Sequence, residues 1–336
     1  MDALDIENRD ALLAYLWDQG RVDRAEHPVM QTLRGGVSNR TVLLRRASGE
    51  AWVLKQALAK LRVPVDWFVD PVRVHREADG MRVLAALVPG SVPGLVFEDR
   101  THHLIAMEAV PDPSRNWKEM LLSGELDREH VAAFGTLLGQ IHLQSHRRDE
   151  LAARFPDDFF DALRLEPYYR YSAEQVPESA SFLHDLIDET TAIKLSLVHG
   201  DYSPKNVLVH QGHLFLLDHE VIHWGDPTFD LGFSMTHFLS KAHHLPEQRQ
   251  AFADATLFYW QAYRAAAAEL VTPELEARAV RHTLGCLLGR AAGRSPLEYF
   301  GAQERSRQQR AVLELMRRPP HTVDELVQGF IERILA

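Results

Sequence analysis

The stretch His199-Gly200-Asp201-Tyr202-Ser203-Pro204-Lys205-Asn206 is followed by two short apolar runs and then by Asp218-His219-Glu220. The runs, at 206–210 and 213–218, are rich in Val, Leu and Phe, a composition typical of strands. Between them, Gln211-Gly212 has the length and the glycine of a two-residue hairpin turn. The segment therefore predicts a β-hairpin that begins and ends in polar side chains.

The register of this hairpin brings two oxygen ligands together. Counting outward from the turn pairs Asn206 with Leu217, which puts Asn206 beside Asp218 at the open end. Magnesium takes one or two protein oxygens together with phosphate oxygens, so this pair suits Mg²⁺. Asp201 lies close to the same end in sequence. The pattern indicates a phosphoryl-transfer site in which Asp201 accepts the proton of an attacking hydroxyl while Asn206 and Asp218 hold Mg²⁺.

The pattern H-x-D-x-x-x-x-N followed by a metal-binding Asp resembles the catalytic loop of the aminoglycoside phosphotransferase and choline kinase family. The segment Trp224-Gly225-Asp226-Pro227-Thr228-Phe229-Asp230-Leu231-Gly232 is also similar to that family, in which Asp230 would brace the catalytic loop and His199 would support the site. Members phosphorylate aminoglycosides, choline, homoserine, hydroxylysine or methylthioribose. The resemblance implies a small-molecule kinase that uses ATP and Mg²⁺.

The same resemblance implies an α+β, protein-kinase-like fold with a sheet-rich N-terminal lobe and a mainly helical C-terminal lobe. We expect a nucleotide-binding lobe at 1–110 and, at 111–336, a helical lobe with the catalytic loop and the acceptor site, the boundary lying near 108–113. Asp127 and Thr272-Pro273 are predicted helix starts in the second part. In the first part, the predicted elements are helices at 8–19 and 73–87 and strands at 41–44, 52–55, 94–97 and 103–107.

The N-terminal part contains the candidate nucleotide-binding residues. Gly35-Gly36-Val37-Ser38-Asn39 resembles the Gly-Gly-x-Ser-Asn loop of choline kinase-like enzymes, where backbone amides approach phosphates. Lys55 ends an apolar strand, and Glu77 on the next helix would hold it in place. Backbone groups at 107–110 would bind the adenine. The resemblance thus implies nucleotide-binding roles for Gly35, Gly36, Ser38, Asn39, Lys55, Glu77, Glu108 and Val110.

Departures from the protein-kinase pattern favour a small-molecule acceptor. Gly200 stands where many protein kinases have the arginine that reads a phosphorylated activation loop, and Asp218-His219-Glu220 replaces Asp-Phe-Gly. The sequence also has no Ala-Pro-Glu motif after them. The chain thus lacks parts that protein kinases use to bind a peptide substrate or to be activated by phosphorylation.

Two alternatives compete with this interpretation. His219-Glu220-Val221-Ile222-His223 matches the H-E-x-x-H signature of zinc hydrolases, but a strand-like run precedes it and Gly225-Asp226-Pro227 follows, which leaves little room for the helix that the signature requires. In the kinase interpretation, Glu220 is a further candidate acid near the metal. The other alternative is a catalytically silent nucleotide-binding module, which the complete set Lys55, Glu77, Asp201, Asn206 and Asp218 disfavours.

Composition and charge narrow the partners. The chain has 336 residues and a net charge of −10, which argues against nucleic acid or an anionic membrane as the main partner. Its single cysteine, Cys286, lies in an apolar helical run and is expected to be a buried structural thiol. The acidic N-terminus and the lack of a long apolar run favour a cytoplasmic protein.

The acceptor stays open among amino alcohols, amino sugars and methylthioribose-like sugars. The acidic net charge suits an amine. Leu54-Lys55-Gln56 resembles a strand of methylthioribose kinases and points to a sugar hydroxyl. Trp117, Trp224, Phe229 and His237 are candidate pocket residues, although core packing is the more ordinary role for each.

Overall fold

The computed structural model describes residues 4–33, 38–62 and 66–336. The chain divides into two compact units, Met1–Asp112 and Pro113–Ala336. The functions expected of the two parts stay predictions.

The N-terminal unit is built on a five-stranded antiparallel sheet. Its strand order is β1-β2-β3-β5-β4, so the last two strands enter the sheet in reverse order. The elements of this unit are α1 (Arg9–Asp18), β1 (Val29–Thr32), β2 (Asn39–Arg45), β3 (Ala51–Ala57), α2 (Arg73–Leu87), β4 (Leu95–Asp99) and β5 (Leu104–Glu108).

The side chains of strand β3 pack into two hydrophobic clusters, one on each face of the sheet, because they alternate between the faces. Trp52 and Leu54 belong to a cluster that also contains residues of α1, whereas Ala57 packs with Ala78 and Met81 of α2. The alternation places Lys55 on the face that α2 covers. A lysine on that face can reach an acidic residue of the helix.

The C-terminal unit is mainly helical and carries a three-stranded sheet of order β6-β8-β9 and a β10-β7 pair. Its strands are β6 (Arg115–Asn116), β7 (Ser196–Val198), β8 (Val207–His210), β9 (His213–Leu216) and β10 (His223–Gly225). Its α-helices are α3 (Trp117–Leu122), α4 (Arg128–Ser145), α5 (Asp149–Arg154), α6 (Asp158–Phe160), α7 (Tyr171–Gln175), α8 (Ala180–Ala192), α9 (Thr228–His244), α10 (Arg249–Ala267), α11 (Pro273–Ala292), α12 (Ala302–Arg317) and α13 (Val323–Leu335). A π-helical segment, Asp161–Arg170, joins α6 to α7.

Helices α4 and α10 approach each other closely at two glycines of α4. A Cβ atom on Gly135 would lie 2.5 Å from the carbonyl oxygen of Tyr259, and one on Gly139 would lie 2.7 Å from the Cβ of Ala266. The Gly-x-x-x-Gly spacing is therefore explained by helix packing inside this unit. Cys286 of α11 is fully buried, as predicted, and burial raises the pKa of its thiol to about 12.

Most element predictions are confirmed. Helix α2 has the predicted bounds. The Asp127 carboxylate accepts a hydrogen bond from the N–H of Glu129, and the Thr272 hydroxyl accepts one from that of Leu275, so both predicted helix starts are capped. Strand β1 and the π-helical segment were not predicted from the sequence.

Among the residues that the structure describes, no helix combines the length and the apolarity needed to cross a lipid bilayer.

Candidate active site

The predicted hairpin forms with the predicted register. His210 pairs with His213 and Val207 with Leu216, and both turn residues, Gln211 and Gly212, have positive φ. The N–H of Leu217 donates to the carbonyl oxygen of Asn206 over 2.9 Å. Asn206 therefore lies next to the chain that enters Asp218.

The loop 199–206 is fixed by hydrogen bonds to Asp230 of α9. Its carboxylate accepts hydrogen bonds from the backbone N–H groups of His199 (2.6 Å) and Gly200 (2.8 Å). The His199 ring accepts from the N–H of Asp201 through Nδ1 (3.1 Å) and contacts the carbonyl oxygen of Leu217 through Nε2 (3.2 Å). This pattern fits a neutral ring, and burial lowers the pKa of His199 accordingly. The buried carboxylate ties the loop to α9, and the neutral imidazole ties it to the end of the hairpin.

Gly200 is required by the course of this loop. Its φ is 77°, in the left-handed region, and a Cβ atom there would lie 2.9 Å from Cγ1 and 3.0 Å from the carbonyl oxygen of Val221. A larger residue at position 200, such as the arginine of many protein kinases, would therefore clash with Val221.

Asp201 is buried and held by two cations. An Nη of Arg164 lies 3.0 Å from its Oδ2, and Nζ of Lys205 lies 3.6 Å from the same atom. Arg164 also donates through Nε to the carbonyl oxygen of Gly200. Burial alone would raise the pKa of Asp201, but the charges of Arg164 and Lys205 outweigh it and the pKa is lowered. Asp201 is therefore ionised and fixed in place.

The donor set at the open end of the hairpin fits a magnesium ion. The side-chain N–H of Asn206 donates to the carbonyl oxygen of Asp201 over 3.0 Å, so the amide oxygen is the atom of that side chain that could ligate a metal. Asp218 has φ of 68°, an unusual conformation for a non-glycine residue and one that is common at functional sites. Asn206 and Asp218 would hold the ion, and the buried Glu220 follows two residues later.

The predicted lysine–glutamate pair forms within the N-terminal unit. Nζ of Lys55 lies 2.6 Å from Oε1 of Glu77, whose side chain is almost fully buried. Ser38 and Asn39 precede β2, and the carbonyl oxygen of Ser38 accepts hydrogen bonds from Arg73 and from the N–H of Leu58. Gly35 and Gly36 lie outside the described residues.

The expected adenine-binding segment is partly engaged in the sheet. The N–H of Glu108 donates to the carbonyl oxygen of Gly94, and the N–H of Ala109 donates to that of Ala51, both over 2.8 Å. The N–H of Glu108 is thus not available to a base. Val110 carries the next backbone donor along the chain.

The zinc-hydrolase alternative is wrong. His219 lies in a loop and His223 in β10, so the H-E-x-x-H residues do not share a helical face. His219 packs against the His199 ring, whereas His223 stacks on Phe160 with 4.1 Å between ring centroids. Within the described part of the chain, no three His, Cys, Asp or Glu side chains converge as metal ligands.

The four candidate pocket residues lie in the core. Trp117 and Phe229 are fully buried, and Trp224 and His237 are nearly so. Trp117 packs on Phe134, and Phe229 stacks on Phe233. Core packing therefore accounts for both of these rings.

Two residues next to Asp201 were not assigned from the sequence. Lys205 stands inside the quoted motif, at the i+4 position from Asp201, and this spacing is a signal that could have been used. Arg164 lies 37 residues before Asp201 in the π-helical segment, and no local pattern links the two. π-helical turns are frequent at functional sites, but they have no sequence signature.

Comparison with known proteins places the chain in a family. Residues 29–268 match the model of the phosphotransferase enzyme family, APH. The chain belongs to this family and is a phosphotransferase with an alcohol group as acceptor. No curated protein matches the sequence.

Solved structures share the protein-kinase-like fold over nearly the whole chain. A choline/ethanolamine kinase family protein from Mesorhizobium loti is 15% identical and has a TM-score of 0.59, with 97% of this chain and 98% of that chain covered. The macrolide 2'-phosphotransferase MphH from Brachybacterium faecium is 22% identical, with a TM-score of 0.53 and coverages of 93% and 99%. The amicoumacin kinase hAmiN, in complex with AMP-PNP, Ca²⁺ and Ami, is 15% identical, with a TM-score of 0.60 and coverages of 93% and 98%. At these identities the likeness concerns the fold.

Proposed function

We propose that this protein is an ATP-dependent kinase that transfers the γ-phosphoryl group to a hydroxyl group of a small metabolite or antibiotic. Amino alcohols, amino sugars and methylthioribose-like sugars are the acceptor classes that the sequence suggests. The family match and the arrangement around Asp201 support the assignment.

The single observation that carries the proposal is the geometry of the 199–206 loop. Its buried, ionised Asp201 is fixed by Arg164 and by the hydrogen bonds of His199, and Asn206 lies beside the chain entering Asp218. Phosphoryl transfer relies mainly on positioning and on neutralisation of charge, so a rigid carboxylate next to a metal-binding pair is what this chemistry needs.

Each of these residues has a part in the reaction. Asp201 accepts a hydrogen bond from the acceptor hydroxyl and takes its proton as the oxygen bonds to the γ-phosphorus. The bond from that phosphorus to the β,γ-bridging oxygen breaks, and ADP leaves with its electron pair. Lys55, held by Glu77, binds phosphate oxygens. Asn206 and Asp218 would hold Mg²⁺, which would neutralise charge on the phosphates.

The test is an ADP-release assay with Mg²⁺ and ATP over a panel of hydroxyl compounds. In Asp201→Ala, kcat is expected to fall by about three orders of magnitude, because the group that orients the hydroxyl is lost, while nucleotide binding persists. Asp185→Ala is the matched control, since Asp185 is an exposed carboxylate of α8.

Normal turnover in Asp201→Ala would refute the role of this residue. Binding of Mg²⁺ and ATP without ADP release for any acceptor would instead favour the catalytically silent nucleotide-binding module. Loss of magnesium-dependent ATP affinity in Asp218→Ala, with that of Asp185→Ala unchanged, would support the metal assignment.

A further inference from the structure

One face of α9 contains Phe233, which contacts the Arg164 that pairs with Asp201, and, two turns further along, a buried lysine. Phe233, His237 and Lys241 follow one another at spacings of four residues and therefore share that face. The His237 ring lies edge-on to Phe233, with 5.3 Å between the centroids. Lys241 is fully buried, and its Nζ donates to the carbonyl oxygen of His237 over 3.3 Å.

A second buried cation reaches the same face from α11. The guanidinium of Arg290 lies 5.0 Å from the ring centroid of Tyr168 and 5.2 Å from that of Phe233. Arg164, which pairs with Asp201, lies 5.8 Å from the same Phe233 ring. Arg290 is therefore a near neighbour of the site, and its charge contributes to the lowered pKa of Asp201.

Neither Arg290 nor Lys241 has a carboxylate partner in the described part of the chain. Arg290 is 9% exposed, and it donates through Nη1 to the carbonyl and hydroxyl oxygens of Ser295. Its Nε is buried without a hydrogen-bond acceptor, and so is Nε2 of His237. Glu298, whose charge favours the protonated form of Lys241 and so raises its pKa, is itself paired with Lys118.

Two buried cations of this region, Arg290 and Lys241, thus have no matching carboxylate among the described residues. The carboxylate of Asp201 is already matched by Arg164 and Lys205, and that of Glu298 by Lys118. Arg290 adds a positive charge that no described carboxylate matches, and Lys241 adds a second when it is protonated. Leaving buried charges unpaired costs several kcal/mol, and an anionic ligand offsets this through charge-assisted hydrogen bonds. A cationic ligand would increase the cost.

We propose that the acceptor is a hydroxyl compound carrying a carboxylate or phosphate group, and that Arg290 and Lys241 bind this anion while Asp201 positions the hydroxyl. The proposal rests on the kinase function proposed above and specifies its substrate class. The Lys241 amine points back to the carbonyl oxygen of His237, one helical turn from Phe233, and Arg290 lies over the Phe233 ring. The two cations therefore approach the same stretch of α9, next to the Arg164 that pairs with Asp201.

The test is a comparison of acceptors that differ in charge. ADP release is measured with glycerate, gluconate, glycerol 3-phosphate and glucose 6-phosphate, with the neutral compounds glycerol, glucose and methylthioribose, and with choline, ethanolamine and an aminoglycoside. We expect Asp201-dependent turnover of an anionic acceptor. Comparing glycerate with glycerol 3-phosphate, and gluconate with glucose 6-phosphate, shows whether the site prefers a carboxylate or a phosphate.

The variants Arg290→Met and Lys241→Met separate anion binding from a structural role. We expect each to raise KM for the anionic acceptor by roughly 10- to 100-fold with a smaller change in kcat. Arg290→Lys is expected to recover part of the loss because it keeps the charge. Arg281→Met is the matched control, since Arg281 lies on the same helix and pairs with Glu189.

Each remaining outcome overturns the anion proposal. Preferred turnover of a cationic or neutral acceptor would overturn it and leave the kinase assignment standing. Turnover of an anionic acceptor with unchanged KM in both methionine variants would also overturn it. If no acceptor gives ADP release, the anion proposal fails, and a direct measurement of Mg²⁺–ATP binding then decides whether the kinase proposal fails with it.

Discussion

At the scale of single residues, Arg164 contacts both the side chain of Asp201 and the backbone of its loop. One Nη pairs with the carboxylate over 3.0 Å, and Nε donates to the carbonyl oxygen of Gly200. An arginine can do both because its guanidinium presents several donors in one plane. Arg164 therefore fixes the direction of the carboxylate as well as its charge.

This geometry predicts the effect of Arg164→Met. We expect kcat to fall by about 10- to 100-fold, because a small displacement of a positioning group has an effect of this size, while KM for ATP changes little. Steady-state kinetics measure the effect. Arg170→Met is the control, since Arg170 belongs to the same π-helical segment but forms an exposed pair with Asp161. A wild-type kcat in Arg164→Met would refute the positioning role.

At the scale of elements, the close contact between α4 and α10 allows the effect of packing on stability to be tested. A Cβ atom on Gly139 would meet three atoms of α10 at 2.7–3.0 Å, two of them in the backbone, which has no room to move. Gly139→Ala is therefore expected to lower the free energy of unfolding by about 1–3 kcal/mol, despite the higher helix propensity of alanine. Chemical denaturation measures this change.

Gly329→Ala in α13 is the matched control for this prediction. The atoms closest to its added Cβ are side-chain ends of Leu315 and Arg333, which can move aside. This variant is expected to be neutral or stabilised by up to about 1 kcal/mol. Equal destabilisation by both substitutions would contradict the role of the α4–α10 contact.

Elements with local signals were predictable from the sequence, and contacts between distant segments were not. The hairpin at 207–216 and the caps of α4 and α11 depend on a turn or on a side chain within a few residues. The same holds for the motif residues Asp201 and Asn206. The π-helical segment has no such signal, and Arg290 reaches the site only through the packing of α11 on α9.

At the scale of the whole molecule, the net charge and the buried charges near Asp201 suggest different acceptors. The chain carries −10, which suggested an amine, whereas Arg290 and Lys241, which are buried without a carboxylate partner in the described part of the chain, suggest an anion. A surface charge is largely screened by solvent, but a buried one acts at short range in a medium of low dielectric. The local arrangement of Arg290 and Lys241 therefore weighs more than the sum.

Lys241 links the site to the stability of the fold. Burial lowers its pKa from an ordinary value near 10.5 to about 7, and the charges of Lys118 and Arg290 add to this effect, whereas Glu298 opposes it. His237 and Tyr299 also face it, the first through its carbonyl oxygen and the second with its ring 5.8 Å from Nζ. The folded state thus favours the neutral amine, while the unfolded chain keeps the proton up to higher pH.

The sign of the resulting pH dependence follows from proton counting. Below pH 7 Lys241 is protonated in both the folded and the unfolded state, so the folded protein is destabilised by the full free energy of the buried charge. Above pH 10.5 Lys241 is neutral in both states, and this destabilisation disappears. In between, Lys241 makes the free energy of unfolding rise with pH, by at most about 1.4 kcal/mol per unit. Lys241→Met removes this contribution, so its own free energy of unfolding should depend less on pH over that window.

We therefore expect Lys241→Met to be more stable than the wild type by roughly 1–4 kcal/mol at pH 6, with the difference shrinking towards pH 10. Urea denaturation at several pH values measures both, and Lys194→Met, which removes an exposed lysine paired with Asp157, controls for general loss of charge. A lysine kept only for packing would give the opposite result, a destabilised variant at every pH. If Lys241 binds the anion of the acceptor as proposed, the same variant loses affinity for the anionic acceptor as it gains stability.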